Sequence, residues 1–522
     1  MSRHENPHPR QRYHSVPIMD QVEDIENYCP GGFAPLSIGD VIGGGKYTIV
    51  YKLGFGGIAM VWLCYDEEER KWCAIKVNAD SNSTDDCGDL EAIRLMKDNG
   101  LTVEKLGENH ILMSFDTFWE YSPNGRHLCT VMPVVGPRAH DWRTEDMGRD
   151  ADRINKMCYQ LTQGLSFLHE NGLVHGDFRP QNILMKLKPN SLDLLSKDDM
   201  WNLLGEPATA EIRTLSDKRS RHAPKEVVSS ALWEKFSPVI TDDIAIVDFG
   251  EAYLPHNPPA HFGIPRKYAC PEIFFKARTS GLASDIWSLG LTILELRLDD
   301  YGSDLPSDII RFLERFVGPL PRKYRSIAEA LLKGEGLKKA EGPGPEPSEN
   351  CPLMGPVDLP LGEKEELESE NTEFRDRLEV KIASGQKCYG EAFVSGDRTG
   401  RERKRALVRY RLPEEEVRLL GDLLHQILRY DPRERISARE AFGHPWFRKS
   451  RGETETKDRP ATPDMDNALL WFMPNTATAT SWATIAKLLL LFIFCLVLSI
   501  GYSSLTASSS LDRCTITLIY IA

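Results

Sequence analysis

The sequence lacks the features of a secreted, disulfide-bonded or zinc-binding protein. Its cysteines number 11, an odd count, and no two of them stand in C-x-x-C spacing. Residues 1–27 contain no apolar signal core, and they mix Arg, His and Pro with Asp and Glu, which also excludes a transit peptide. We therefore expect a reduced, cytosolic or nuclear chain that starts with a disordered tail.

An excess of positive charge is missing as well. The formal net charge is −13, which argues against electrostatic binding to nucleic acid. Such acidity favours cationic partners or serves solubility alone. The 522 residues, 41% of them hydrophobic, suffice for a large folded core with extensions. We expect no direct nucleic-acid partner, and the oligomeric state stays open.

One stretch carries the groups that phosphoryl transfer requires. Residues 174–184 read VHGDFRPQNIL, in which Asp177 precedes a cation, Arg179, and an amide, Asn182. Asp177 can accept a hydrogen bond from a substrate hydroxyl, while Arg179 can neutralise charge on the phosphoryl group. A second carboxylate, Asp248, begins a DFG triplet after an apolar run. We expect Asn182 and Asp248 to bind Mg²⁺.

A glycine-rich turn between two predicted strands precedes these motifs. Gly54 and Gly56 would let backbone N–H groups approach phosphate oxygens, although Ala59 replaces the usual third glycine. A lone turn of this kind is more often a hairpin than a nucleotide site. The next strand, residues 72–77, matches the Val-Ala-Ile-Lys pattern, so Lys76 is expected to pair with the α- and β-phosphates of ATP.

Together these residues resemble the SR-protein kinases, a family of serine/threonine kinases. Further segments that resemble this family are 28–33, 38–40, 52–56, 61–63 and 124–129. The resemblance implies an α+β, bilobal protein-kinase fold, with a small β-rich lobe and a large α-helical lobe. It also implies a nucleotide site formed by Leu53, Gly54, Phe55, Gly56, Gly57, Ile58, Ala59, Val61, Ala74, Lys76, Met132 and Val134.

The resemblance further implies an activity and its substrates. Such a kinase uses ATP and Mg²⁺ to phosphorylate Ser or Thr in Arg- and Ser-rich proteins of the splicing-factor type, and so takes part in mRNA splicing regulation. Three departures, Ala92 in place of a glutamate, Gly176 in place of an arginine and Pro265 in place of a threonine, leave alternatives open. These are a pseudokinase scaffold and a membrane-anchored adaptor with a kinase fold.

The helix that should supply an acid to Lys76 departs from the family pattern too. It is predicted over about residues 85–99, and an ungapped alignment puts Ala92 where the family has a glutamate. Glu91, next to it, is therefore our candidate partner of Lys76, although adjacent helical residues point in different directions.

Three other residues receive structural roles from the resemblance. Asp285 is expected to hold the backbone of residues 174–184, the catalytic loop, and Glu272 is expected to pair with Arg435. No Ser or Thr stands between Asp248 and Glu272. We therefore expect this loop to be ordered by its own packing, without phosphorylation.

A continuous apolar run near the end of the sequence predicts a membrane anchor at 482–505. It is about the 20 residues that a crossing needs, provided that Lys487 reaches the interface. The basic residues on its N-terminal side predict a kinase on the cytoplasmic face of the membrane. The alternative is that the sequence reads past the true end of the coding region, which would leave the protein in the cytoplasm or nucleus.

The predicted organisation follows from these segments. Two inserts interrupt the large lobe, the first with a helix over 197–204 and the second irregular. The predicted parts are a disordered tail at 1–27, a small lobe at 28–134, a large lobe at 135–448 with inserts at about 186–243 and 335–404, a linker at 449–481, the anchor at 482–505 and a short tail at 506–522.

Overall fold

The structure, a computed structural model, describes residues 12–142, 151–276, 280–298, 304–339, 378–383, 386–393, 403–410 and 412–453. All of these belong to the first of two compact units, Met1–Thr454, and the second, Glu455–Ala522, lies outside them. The anchor at 482–505 falls in that second unit and stays a prediction. Within the described ranges, no helix combines the length and the apolarity that a membrane crossing needs.

The first part of the chain builds an antiparallel sheet of six strands. Its strands come from segments rich in β-branched and aromatic residues, which favour the extended backbone. Its elements are β1 Val41–Ile42, β2 Tyr47–Phe55, β3 Ala59–Asp66, β4 Lys71–Asn78, α1 Gly88–Asp98, α2 Val103–Glu108, β5 Thr117–Ser122 and β6 Gly125–Met132. The strand order is β1-β2-β3-β4-β6-β5.

The rest of the described chain is mainly helical. Its elements are α3 Ala139–Trp142, α4 Ala151–Glu170, β7 Ile183–Leu187, α5 Lys197–Leu204, β8 Thr209–Glu211, β9 Glu226–Val228, β10 Ile240–Ile246, α6 Pro271–Phe274, α7 Leu282–Leu298, α8 Pro306–Phe316, α9 Arg322–Lys339, β11 Gln386–Phe393, β12 Arg403–Tyr410, α10 Glu414–Ile427 and α11 Ala438–Phe442. Helix α7 is predominantly apolar, nearly all of it is buried, and it forms the middle of the helical core.

The register of the six-stranded sheet places two lysines on opposite faces. Lys52 pairs with Trp62, whereas Lys76 pairs with Val61, the preceding residue of β3. Successive residues of a strand point to opposite faces, so Lys52 shares one face with Trp62 and Lys76 lies on the other. On the face of Lys76, Leu63 belongs to the core that continues into the helices. We call this the inner face, and the face of Lys52 the outer face.

A disordered tail up to residue 27 was predicted, and this is wrong for residues 12–27. The segment covers the outer face of the sheet, and the backbone N–H of Arg12 donates to Glu26 at 2.8 Å. The polar composition concealed this because the apolar residues are too widely spaced to show a period. The buried ones are Tyr13, Val16, Val22 and Ile25. Residues 1–11 lie outside the described residues.

The first insert, 186–243, also folds back onto the sheet. Its predicted helix is confirmed as α5. The β8–β9 hairpin adds Ala210 and Val227 to the outer-face cluster, and the backbone N–H of Ala231 donates to the carbonyl oxygen of Lys52 at 2.7 Å. The insert and residues 12–27 therefore cover the outer face together.

The second insert was predicted to be irregular, but it contains two strands. β11 pairs with β12 in an antiparallel ladder from Gln386 opposite Tyr410 to Phe393 opposite Arg403. The described parts thus form a sheet-rich lobe followed by a helical one. The α+β, bilobal prediction is confirmed.

Candidate active site

The catalytic loop and the DFG triplet meet because the strands next to them pair. β7 follows Asn182, β10 precedes Asp248, and Ile183 lies opposite Ile246 in their antiparallel ladder. The backbone N–H of Val247 then donates to the carbonyl oxygen of Asn182 at 3.0 Å. Two residues that are far apart in the sequence are thereby brought side by side.

Asp285 of α7 holds the backbone of the catalytic loop, as predicted. Its carboxylate accepts the backbone N–H of His175 at 2.7 Å and that of Gly176 at 3.1 Å. It also contacts His169 Nε2 at 3.1 Å. A buried carboxylate with several donors is well satisfied, so it fixes the path of the loop firmly.

Asp177 keeps one free acceptor. Its Oδ2 accepts from Arg179 Nε and from Asn182 Nδ2, each at 2.9 Å. Its Oδ1 is buried and has no hydrogen-bond partner. Burial raises the pKa of Asp177, and the positive charge of Arg179 partly offsets that rise. The loop therefore presents an oriented oxygen that a hydroxyl group would satisfy.

Gly176, one of the departures from the family pattern, is required by the backbone. Its φ is +77°, and a Cβ built there would lie 2.1 Å from the carbonyl oxygen of Glu251. Neither the angle nor the space admits an arginine. The missing arginine therefore reflects close packing of the catalytic loop against the segment after the DFG triplet.

Lys76 lies between two carboxylates. Its Nζ is 2.7 Å from Asp248 Oδ1 and 3.1 Å from Asp89 Oδ2. Burial lowers the pKa of Lys76, but the carboxylates of Asp248 and Asp89 outweigh it and raise the pKa above its ordinary value. The Lys76 ammonium in turn lowers the pKa of Asp248, against the effect of burial. Lys76 and Asp248 are therefore both charged at neutral pH.

Glu91 is the wrong partner for Lys76. The acid is Asp89, in the first turn of α1. Asp89 stands three residues before Ala92, and residues at that spacing share a helix face. The carboxylate has thus moved by about one turn from the position that the ungapped alignment assigns, while Ala92 is fully buried.

The residues predicted to bind the nucleotide lie around the inner face of the sheet. The glycine turn joins β2 to β3 and is closed by a hydrogen bond from Gly56 N–H to the carbonyl oxygen of Ala59 at 2.8 Å. Ala74 pairs with Met132, the last residue of β6. The predicted set spans the end of β2 (Leu53, Gly54, Phe55), the turn (Gly56, Gly57, Ile58), β3 (Ala59, Val61), β4 (Ala74, Lys76), Met132 and Val134.

Asn182 and Asp248 fit a hard divalent cation. Asn182 Nδ2 donates to Asp177, to its backbone oxygen at 2.8 Å and to its carboxylate, which orients the amide and leaves its oxygen for a ligand. Asp248 has φ +66° and a side chain that is 38% exposed, so its carboxylate is held in an uncommon conformation at an open site. Oxygen ligands of this kind suit Mg²⁺ when phosphates complete the shell.

The segment from Asp248 to Glu272 is held by contacts along its length. Gly263 N–H donates to Glu251 at 3.0 Å, and the buried Tyr268 hydroxyl donates to Glu295 at 2.6 Å. At the end of the segment, Glu272 makes two hydrogen bonds to Arg435, at 2.6 and 2.7 Å. The predicted pair of Glu272 with Arg435 is confirmed.

Comparison with known proteins agrees with this geometry. Residues 47–195 match the protein kinase domain family. The fold of the described residues is that of a protein kinase.

Relatives of this kinase domain include SR-protein kinases, so the resemblance is confirmed. SRSF protein kinase 3 of Sus scrofa is 29% identical over 219 residues, 41% of this chain and 37% of the relative. The serine/threonine-protein kinase SRPK of Physarum polycephalum is 24% identical over 451 residues, 81% of this chain and 91% of the relative. Protein kinase dsk1 of Schizosaccharomyces pombe is 31% identical over 178 residues, 33% and 32% of the two chains. The chain thus spans 37% of the pig protein and 32% of the fission-yeast protein, about a third of each.

Sequence reasoning missed one residue of the kinase domain's site, Asp89. The available signal was an acid three residues before Ala92, on the same face of the predicted helix. The helix begins at Gly88 and not near residue 85, which puts Asp89 in its first turn.

Proposed function

We propose that this protein is a serine/threonine kinase that transfers the γ-phosphate of ATP to protein hydroxyls. One observation carries the proposal. Asp177 Oδ1 is buried and unpartnered, beside a cation and a metal-ligating amide, and this is the arrangement that a substrate hydroxyl needs. A scaffold that did no chemistry would have no need to keep this acceptor free, because unsatisfied buried oxygens cost about 1–3 kcal/mol.

Each residue of the site has a separate role in the proposed phosphoryl transfer. Asp177 Oδ1 accepts the hydrogen bond of the substrate hydroxyl and orients its oxygen for attack. Arg179, held by Asp177, stabilises negative charge on the phosphoryl group. Lys76 reaches the α- and β-phosphates from β4. A Mg²⁺ ion held by Asn182 and Asp248 would neutralise phosphate charge.

Asp177→Asn tests the proposal. The variant should bind nucleotide with nearly unchanged affinity, because the side chain faces the hydroxyl and not the phosphates. Turnover should fall by about 10²–10⁴-fold, the range for loss of a general base. The measurement pairs transfer from labelled ATP with nucleotide titration. Asp193→Asn, the same change at an exposed residue of the first insert, is the matched control and should not alter the rate. Near-normal turnover by Asp177→Asn would mean that the protein is not a kinase of this mechanism.

The substrates that we propose are Arg- and Ser-rich proteins. The support is the resemblance to SR-protein kinases and the net charge of −13, which favours cationic partners. The sequence offers four acids after α7 as candidates for docking such substrates, namely Asp299, Asp300, Asp304 and Asp308. Of the two within the described residues, Asp304 accepts the N–H of Lys267 at 3.0 Å and Asp308 pairs with Arg311 at 3.3 Å. The preference is therefore not assigned to them. An Arg-Ser peptide should be phosphorylated with higher kcat/KM than a generic basic protein, and equal values would refute the preference.

We also propose that residues 482–505 anchor the kinase to the cytoplasmic face of a membrane. The support is the continuous apolar run in the sequence and the basic residues before it. Full-length protein should pellet with membranes and resist carbonate extraction, whereas a chain that ends at Asp466 should not. Full-length protein in the supernatant would overturn the anchor.

A further inference from the structure

Helix α1 begins in unusually close contact with the DFG triplet. A Cβ built on Gly88, its first residue, would lie 2.5 Å from the carbonyl oxygen of Gly250 and 2.7 Å from that of Phe249. Real Cβ atoms essentially never come within 3.0 Å of another heavy atom. Because both atoms belong to the backbone, no side-chain rotation relieves the contact. Any residue other than glycine would have to move the helix or the loop.

The next residue explains why the helix has to be so close. Asp89 is the acid that contacts Lys76, with Nζ at 3.1 and 3.3 Å from its two oxygens. It also accepts from Asn78 Nδ2 at 3.3 Å. An aspartate is one methylene shorter than a glutamate, so its backbone must stand nearer to the lysine for the same contact.

No other acid of α1 pairs with Lys76. The hydrogen bonds and ion pairs of Lys76 go to Asp89 and Asp248 and not to Glu91, and Asp98 is exposed at the far end of the helix. The position one turn after Asp89 is Ala92, which has no polar group and is fully buried. The contact with Lys76 therefore depends on a short acid and on the distance of the helix from the loop.

We propose that Gly88 is a positioning residue: its missing side chain lets α1 approach Phe249 and Gly250 closely enough for the short acid at residue 89 to reach Lys76. Residues 88 and 89 thus act as a pair, in which a larger residue at 88 requires a longer acid at 89. The effect on phosphate transfer rests on the proposed kinase activity, whereas the effect on Lys76 does not.

A double-mutant cycle tests the pairing through activity. Gly88→Ala should push the helix outward and lower kcat/KM about tenfold or more, since a shift of about 1 Å can cost 10²-fold. Asp89→Glu alone should overfill the space and also lower kcat/KM. The double variant Gly88→Ala/Asp89→Glu should recover most of the wild-type value, because the longer acid spans the wider gap. Losses that simply add in the double variant would overturn the proposal.

A second measurement does not need turnover. Acetylation of Lys76 by an N-hydroxysuccinimide ester, followed by mass spectrometry, reports how firmly Asp89 holds the ammonium group. Gly88→Ala should speed acetylation severalfold, and the double variant should return it toward the wild-type rate. Lys71, exposed on the same strand, is the internal reference. An unchanged Lys76 rate in Gly88→Ala would overturn the proposal.

Gly107→Ala is the matched control. Gly107 lies in α2, and a Cβ built there meets nothing within 4 Å. The substitution should leave kcat/KM and Lys76 acetylation unchanged. If the wild-type protein transfers no phosphate at all, the proposed function fails, and the acetylation cycle still decides whether Gly88 positions Asp89.

Discussion

Two buried lysines of the six-stranded sheet differ in their surroundings and in the roles that we expect for them. Lys52 on the outer face is 1% exposed and lies 2.5 Å from Glu23, which also accepts the hydroxyl of Tyr28. Lys76 on the inner face is 7% exposed and lies between Asp89 and Asp248. Each lysine is flanked by apolar strand residues, so the sequence around them looks alike.

The difference between the two lies in what surrounds the charge. Burial lowers the pKa of Lys52, and the carboxylate of Glu23 does not fully offset this. The two carboxylates around Lys76 do offset burial, and one of them, Asp248, has an open side. Phosphate oxygens can therefore approach Lys76, whereas Lys52 is sealed beneath residues 12–27 and the first insert. A buried lysine is a functional residue only where its partners leave room for a ligand.

Removing the partner of Lys52 should have the largest effect on stability. Glu23→Gln leaves a buried ammonium without its charge partner, which costs about 3–5 kcal/mol. Urea unfolding should show that loss in the free energy of unfolding, while kcat per folded molecule stays unchanged.

Two further variants sharpen the result for Lys52. Glu108→Gln, in the exposed pair with Lys105, should cost only about 0.2–0.5 kcal/mol. Replacing both charges, as Lys52→Met/Glu23→Leu, should restore much of the lost stability, because apolar residues of similar size often substitute well for a buried pair. If Glu23→Gln also lowered kcat per folded molecule, the ion pair on the outer face would affect catalysis. The two lysines would then not have separate roles.

On the inner face, replacing Lys76 should lower the rate of phosphate transfer. Lys76→Met removes the cation that we propose to align the phosphates, and kcat/KM should fall about 10²–10³-fold, as for other lost electrostatic contacts to a transition state. Lys71→Met, at an exposed position of the same strand, should leave the rate as it is. Wild-type kinetics in Lys76→Met would place the phosphate contact elsewhere.

The pH dependence of the rate should report Asp177. Only the deprotonated carboxylate accepts the hydroxyl proton, so kcat/KM falls as pH drops through the pKa of Asp177. Because burial raises that pKa, the midpoint should lie above the ordinary aspartate value of about 3.9. Arg179→Gln removes the charge that offsets burial, so its midpoint should move to higher pH. A midpoint that moves to lower pH would contradict the assignment.

Phosphatase treatment should have the smallest effect, namely none. The segment from Asp248 to Glu272 has no Ser or Thr, and its tyrosines, Tyr253 and Tyr268, are buried. The partners of Lys76 are thus placed by packing and not by a phosphate. Purified protein should keep its rate after treatment, and a tenfold drop would show that a modification elsewhere orders the site.

Much of the site was predictable because its motifs are short and contiguous. The loop from Val174 to Leu184 holds a carboxylate, a cation and an amide within a few residues, and the proposed chemistry restricts which residue types work. The pairs of Asp285 with the loop and of Glu272 with Arg435 also followed from the family pattern. The acid of α1 did not, since an ungapped alignment assumes a helix that keeps its register relative to Lys76.

The sequence alone determined the sheet-then-helix order, the phosphotransfer loop and the fold class, because these depend on local residue type and period. Only the tertiary structure decided that Asp89 serves Lys76, that Gly88 and Gly176 must lack side chains, and that residues 12–27 fold onto the sheet. Each of these depends on a distance between segments that are remote in sequence, such as Gly176 to Glu251 or Gly88 to Gly250. Residue type does not encode such distances; the packing of the whole chain sets them.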